Sequence, residues 1–214
     1  MTLALLSAAV PAAALAQRAD EGGAGSRLEV TPMAANSPPR GAYVRAQSLL
    51  GGAKLRELMR SGFPAAMSFR LELWREGGLF DELEQSDQWN VLVRYEPYSQ
   101  EYFVVRRQGA AVEDFGSFPT LADAEAVLAK PYPVLLQPER PGSRYYYNVV
   151  VDIEALSVSD LDELERWLRG ELRPAVRGKR APIPAIQRGL GTLLSRLLGG
   201  ERRQFEAKSA TFRA

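Results

Sequence analysis

The side chains best grouped for chemistry are carboxylates. Glu72, Asp81, Glu82, Glu84 and Asp87 fall within one short stretch, and Glu113 adjoins Asp114. Two Asp or Glu groups suffice for glycoside hydrolysis, one as acid and one as base or nucleophile. That chemistry needs a carboxyl whose environment lifts its pKa toward neutrality. Glu72, however, alternates with apolar neighbours on the solvent side of a strand, where cross-strand ion pairs are ordinary. The other four of the first group read as a polar loop, so carboxylate catalysis is the least favoured function. No residue is histidine or cysteine. Ser-His-Asp triads, Cys-His dyads, ordinary zinc sites and haem held by those residues are therefore excluded. Gly51-Gly52-Ala53-Lys54 lacks the spacing of a phosphate-binding loop, no Gly-x-Gly-x-x-Gly occurs, and Gly189-Leu190-Gly191 is a lone pair of glycines within a helical pattern. The expectation is a non-catalytic protein with no cofactor and no metal.

Tyrosines are the second group. Tyr95, Tyr98 and Tyr102 cluster, and Tyr145-Tyr146-Tyr147 are consecutive. Tyr95, Tyr145 and Tyr147 are candidates to line a pocket for an apolar, lipid-like ligand inside a β domain. The commoner fate of strand-end tyrosines is half-buried core with a wet hydroxyl.

Charge supplies the third group. The net charge is +1, yet Arg166, Arg169, Arg173, Arg177, Lys179, Arg180, Arg188, Arg196, Arg202 and Arg203 face only Glu171 and Glu201 in their segment, a local net of +8. Within it, Ile186, Leu190, Leu193, Leu194 and Leu197 form a stripe at helical spacing that ends at Gly199-Gly200. A cationic amphipathic helix can lie in an anionic membrane interface or meet a partner protein. Its alternative is to pack on the rest of the fold, with the charges solvated. The candidate contact residues are Arg177, Lys179, Arg180, Arg188, Arg196, Arg202 and Arg203, with Ile186, Leu190 and Leu194. Nucleic acid is not expected, because aromatic residues are not interleaved with the basic ones.

The elements that must position these groups are mostly strands. Met67 to Leu73 alternates apolar and charged residues strictly, so one face is buried and the other wet. Gln88 to Tyr95 repeats the pattern with Trp89, Val91, Val93 and Tyr95 inward. Tyr102 to Arg106 follows after a Pro-containing turn, which predicts an antiparallel hairpin. Tyr145 to Glu154 is a longer strand with Tyr145, Tyr147, Val149, Val151 and Ile153 on one face. Weaker patterns mark strands at Leu28 to Thr31, Tyr43 to Leu49 and Pro133 to Gln137, and Phe205 to Phe212 reads as a closing strand. Helices are predicted over Lys54 to Arg60, stopped by Gly62, and from Thr120-Leu121-Ala122-Asp123, a capping-box start, to Lys130-Pro131. A third starts at Ser159 and places Leu161, Leu164, Trp167, Leu168 and Leu172 on one stripe.

Several of these runs resemble a known family. Phe69-Arg70-Leu71-Glu72-Leu73-Trp74-Arg75 with Phe80-Asp81, then Val93-Arg94-Tyr95-Glu96-Pro97 with Tyr102-Phe103-Val104, are similar to the domain-of-unknown-function family four-three-nine-zero of exported bacterial proteins. The order continues through Phe118-Pro119-Thr120-Leu121-Ala122-Asp123-Ala124 and Pro141-Gly142-Ser143-Arg144-Tyr145-Tyr146, so the resemblance spans about Leu28 to Ile153. It implies an envelope-located, mostly β domain and no particular activity, since the family has none assigned. The helical extension from Ser159 to Gly200 departs from the family's shorter members.

Residues Met1 to Ala16 are uncharged, apolar or small, and end on Ala14-Leu15-Ala16. This is the pattern of a cleaved secretory signal, though without the usual positive residues after Met1. The expected organisation is a signal peptide at 1–16, a flexible leader at 17–26, an antiparallel β domain at 27–155, a helical extension at 156–200 and a tail or closing strand at 201–214. The expected fold class is mainly β (α+β): an antiparallel β-sandwich or open barrel with peripheral helices and a helical C-terminal extension. The expected protein is an exported periplasmic or cell-envelope protein that binds another envelope protein or an anionic membrane surface through its basic region. The alternative is a carrier of an apolar ligand within the β domain. Oligomeric state is left open.

Overall fold

The computed structural model describes residues 25–33, 40–156 and 202–214. Among them are ten strands: β1 (Arg27–Pro32), β2 (Ala42–Gln47), β3 (Ala65–Arg75), β4 (Glu82–Glu96), β5 (Glu101–Gln108), β6 (Ala111–Phe118), β7 (Tyr132–Val134), β8 (Arg144–Ala155), β9 (Arg202–Lys208) and β10 (Phe212–Arg213). Helix α1 (Ala53–Arg60) precedes β3, and α2 (Leu121–Leu128) follows β6. The protein is mainly β. Its large sheet, ordered β10-β8-β3-β4-β5-β6 with β9 also on β8, is antiparallel throughout and curls into a half-barrel. A three-stranded sheet, β1-β2-β7, accompanies it.

Period-two patterning dictates which face of the large sheet is dry. Along β3, Ala65, Met67, Phe69, Leu71 and Leu73 are buried while the residues between them are partly exposed. Antiparallel register puts directly opposed residues on one face. Phe69 therefore meets Trp89 of β4 on one side and Val151 of β8 on the other, and the Phe69 and Trp89 rings stack with centroids 5.0 Å apart. Each such side chain contributes about 1.5–3 kcal/mol on full burial. The small sheet joins the same core through Leu28, Val30, Val44 and Ala46. Tyr132 of β7 packs against Trp89, its ring centroid 5.1 Å away, and β1 lies against β8 and β9.

The two helices start and stop for local reasons. Thr120 Oγ1 accepts the Asp123 N–H at 3.1 Å, as the capping-box reading requires. Leu55 and Met59 anchor α1 in the core, and Gly62 takes the left-handed conformation beyond its end (φ 92°). The β4–β5 hairpin closes through Glu96 to Gln100, where Gln100 N–H donates to Glu96 O at 2.8 Å.

Several boundaries differ from expectation. The acidic stretch read as a loop is the first half of β4, and only Asp81 lies outside that strand. A bulge opposite Leu73 breaks the alternation there. Strand β6, which holds Glu113 and Asp114, gave no strand signal: it is a sheet edge, largely exposed, and so lacks an apolar period. β7 is shorter than the predicted Pro133 to Gln137. The closing strand expected over Phe205 to Phe212 is instead two strands, β9 and β10, separated by Ser209 to Thr211. The predicted helix from Ser159, the Ile186–Leu197 stripe, the signal peptide and most of the leader lie outside the described residues.

Candidate functional site

The carboxylates do not converge. Each of those singled out engages a donor or cation, and only Glu82 and Glu84 have one in common. Glu72 Oε1 pairs with Arg70 Nε at 2.7 Å, and its Oε2 accepts from Trp74 Nε1 at 2.9 Å. Asp87 Oδ2 accepts from Gln108 Nε2 at 2.6 Å, and Glu113 pairs with Arg106. Asp114 Oδ1 accepts the Gly116 N–H at 2.8 Å. Glu82 and Glu84 share Arg75, with Glu84 3.2 Å from its Nε. Glu84 also accepts from the Tyr145 hydroxyl at 2.9 Å and from Glu139 N–H at 3.3 Å. Gln85 Oε1 accepts Gln137 N–H at 3.2 Å. The bulged start of β4 thus holds down the connection from β7 to β8, which explains its polar sequence.

Tyr145 and Tyr147, two of the three candidate ligand-lining tyrosines, are core residues with dry hydroxyls. Tyr147 donates to Leu136 O at 2.7 Å, and burial raises its pKa to about 12. Burial likewise raises that of Tyr145, with a smaller contribution from the neighbouring Glu84. A void of about 30 Å³ touches Tyr147, Phe212 and Met33, roughly one water's worth of space. The alternation placed both on the inner face, but the expectation of half-buried rings with wet hydroxyls fails: both are fully buried, because acceptors within the fold replace water. The pattern could not show that Glu84 and Leu136 would take the hydroxyls.

On the outer face of the large sheet, Trp74 and Tyr146 stack with centroids 6.5 Å apart, and Lys208 Nζ sits 3.3 Å above the Tyr146 ring. The Tyr146 hydroxyl donates to Asp81 Oδ2 at 2.8 Å. That bond, with a weaker one from Gly77 N–H at 3.3 Å, holds the Asp81 carboxyl below the usual carboxylate range. Burial and Asp81 together push the Tyr146 hydroxyl well above its ordinary value. Asp81 closes the β3–β4 hairpin. At its tip, Leu79 and Phe80 stand 91% and 87% exposed. Behind them a Cβ on Gly77 would meet the Phe80 carbonyl oxygen at 1.8 Å, so only glycine permits this turn.

A groove of about 470 Å³ opens at the opposite end of the sheet. Arg56 and Arg60 of α1, Tyr95 and Tyr102 of the β4–β5 hairpin, and Thr120 and Glu125 of the α2 region line it. Tyr95, the third candidate tyrosine, is placed here, its ring 4.9 Å from that of Tyr102. Glu125 Oε1 accepts the Leu50 N–H at 2.8 Å, and burial raises its pKa.

Of the candidate contact residues, only Arg202 and Arg203 are described, and both belong to β9. Arg202 pairs with Asp152 at 3.0 Å. Arg203 opposes Ile153, is partly buried, donates to Leu49 O at 3.3 Å and lies over the Phe205 ring. Arg177, Lys179, Arg180, Arg188, Arg196, Ile186, Leu190 and Leu194 lie outside the described residues. Sequence reasoning missed Leu79, Phe80, Arg56 and Arg60. Gly77-Gly78 before two apolar residues was a visible turn signal, and the four-residue spacing of the arginines put both on one side of a short helix. No described helix is long and apolar enough to cross a membrane. Searches of protein-family models, curated proteins and solved structures return no match.

Proposed function

We propose that this chain is a non-catalytic, exported cell-envelope domain that works by docking its surface on a partner protein or an anionic membrane. The resemblance to the domain-of-unknown-function family four-three-nine-zero and the signal-like Met1 to Ala16 support the location. The observation that carries docking is the β3–β4 tip. Two large apolar side chains stand in water on a turn held from behind by Gly77, Asp81 and Tyr146, an arrangement that fits an interaction site better than a folding need. The small sheet covering the inner face of the half-barrel makes a sandwich-like core filled by side chains. An interior carrier of an apolar ligand is the weaker reading, since such sites run to about 300–1,000 Å³ against the 30 Å³ beside Tyr147. The basic residues from Arg177 to Arg196 are proposed as a second contact. Arg202 and Arg203 are less suited to it, being engaged within the sheet.

A photo-cross-linking residue placed at position 80, in cells expressing the full chain, tests the docking. A discrete adduct with protein or lipid is expected there and not from position 98, where Tyr98 is fully exposed at the other end of β4. Equal labelling from both positions, or none from 80, removes the reading.

A further inference from the structure

We propose that the groove between α1, the β4–β5 hairpin and α2 binds a small molecule through a carboxylate or phosphate group, gripped by Arg56 and Arg60. The two guanidiniums are one helical turn apart on α1, whose rotation is fixed by the buried Leu55 and Met59. Both side chains are exposed, and neither has a carboxylate within ion-pairing distance among the described residues. Arg27, Arg45, Arg70, Arg75, Arg106, Arg144 and Arg202 are each matched to a carboxylate; Arg94, Arg140 and Arg213 are not, but they do not line the groove. Glu125 is the acidic group on the groove wall, and its Oε1 is committed to Leu50 N–H.

Arg56 feels the charge of Glu125 across the groove without pairing to it. Two guanidiniums against one distant carboxylate thus leave an excess positive charge, which suits an oxyanion because the planar fork matches carboxylate and phosphate oxygens two bonds at a time. The opposite wall suits the remainder of such a ligand. Tyr95 and Tyr102 offer ring surface, and neither hydroxyl is hydrogen-bonded to a described residue. Gln100 adds an amide. At about 470 Å³ the groove falls within the usual range for small ligands. The site is separate from the hairpin tip proposed for docking, which lies at the other end of β4.

The test is an NMR titration of the purified full chain with inorganic phosphate, glucose 6-phosphate, glucuronate and glucose, each to about 10 mM, a range that reports millimolar affinity. At least one of the three anions should shift the amide signals of Gly51, Gln100 and Leu121 and the Nε signals of Arg56 and Arg60. Phosphate and glucose 6-phosphate against glucuronate tell a phosphate ligand from a carboxylate one. The R56Q/R60Q variant, which alters only exposed side chains, should weaken binding by about tenfold or more. The K54Q variant removes a charge from the same helix outside the groove and should bind as the parent does. The proposal is overturned if no anion shifts these signals, if glucose shifts them as much as the best-binding anion does, or if K54Q weakens binding as much as R56Q/R60Q.

Discussion

Tyrosine burial governs how this domain meets alkali. The hydroxyls of Tyr132, Tyr145, Tyr146 and Tyr147 all have raised pKa values, chiefly because burial disfavours the phenolate. A raised folded-state pKa gives stability that is complete below the unfolded value of 10.0 and is lost as pH climbs toward the folded one, about 12 for Tyr147. Denaturant midpoints should hold steady up to about pH 9 and then fall steeply between pH 10 and 12. Tyr147→Phe loses the bond to Leu136 O, which costs about 1 kcal/mol at neutral pH. It should also make the alkaline decline shallower, and a decline as steep as the parent's would exclude Tyr147 from the effect. This scale was partly legible. Alternation placed Tyr145 and Tyr147 inward, whereas their acceptors come from β4 and from the residues after β7, distant in sequence and revealed only by the tertiary fold.

Among the elements, the β3–β4 hairpin links local conformation to the proposed docking. Gly77→Ala would drive a Cβ into the Phe80 carbonyl, and the turn must rearrange to relieve it. The rest of the hairpin is secured by a ladder from Ala65–Val93 to Arg75–Glu82, interrupted by a single bulge between Leu73 and Trp74. The expected result is a fold retained by circular dichroism, with a loss of stability of about 1–3 kcal/mol. Cross-links from position 80 should fall several-fold in the same variant. Unchanged stability and unchanged cross-linking would mean that the tip is not held as described. β3, β8 and the second half of β4 were plain in the sequence, because half-buried strands print their period directly. β6 and the first half of β4 were not. One is an exposed edge, and the other spends polar side chains on backbone N–H groups instead of on water.

At the scale of the molecule, the main surprise is connectivity. In chain order, the region expected as a C-terminal extension falls between two strands that pair with each other, β8 and β9. The chain leaves β8 at Leu156 and returns at Arg202, which lies directly opposite Glu154. Antiparallel neighbours of this kind are about 5 Å apart and are commonly joined by two to five residues. Replacing residues 157–201 with a short Gly-Asn turn should therefore leave a folded domain, its thermal midpoint within about 5 °C of the parent. Loss of cooperative unfolding would instead show that the excised residues complete the core. The general architecture was readable from alternation alone. This topology was not, since pairing partners across so long an excursion leave no local mark.

Both β9 and β10 lie along the flank of β8 away from β3, with Ser209 between them bonded through its N–H to Tyr147 O and through its Oγ to Tyr147 N–H. Until those downstream residues arrive, one of the most apolar strands in the protein has a bare hydrogen-bonding flank, open to any extended peptide. A polypeptide cut short before Arg202 is thus primed to recruit a foreign strand or a sister molecule, and docking of these two segments on β8 acts as a guard against self-association.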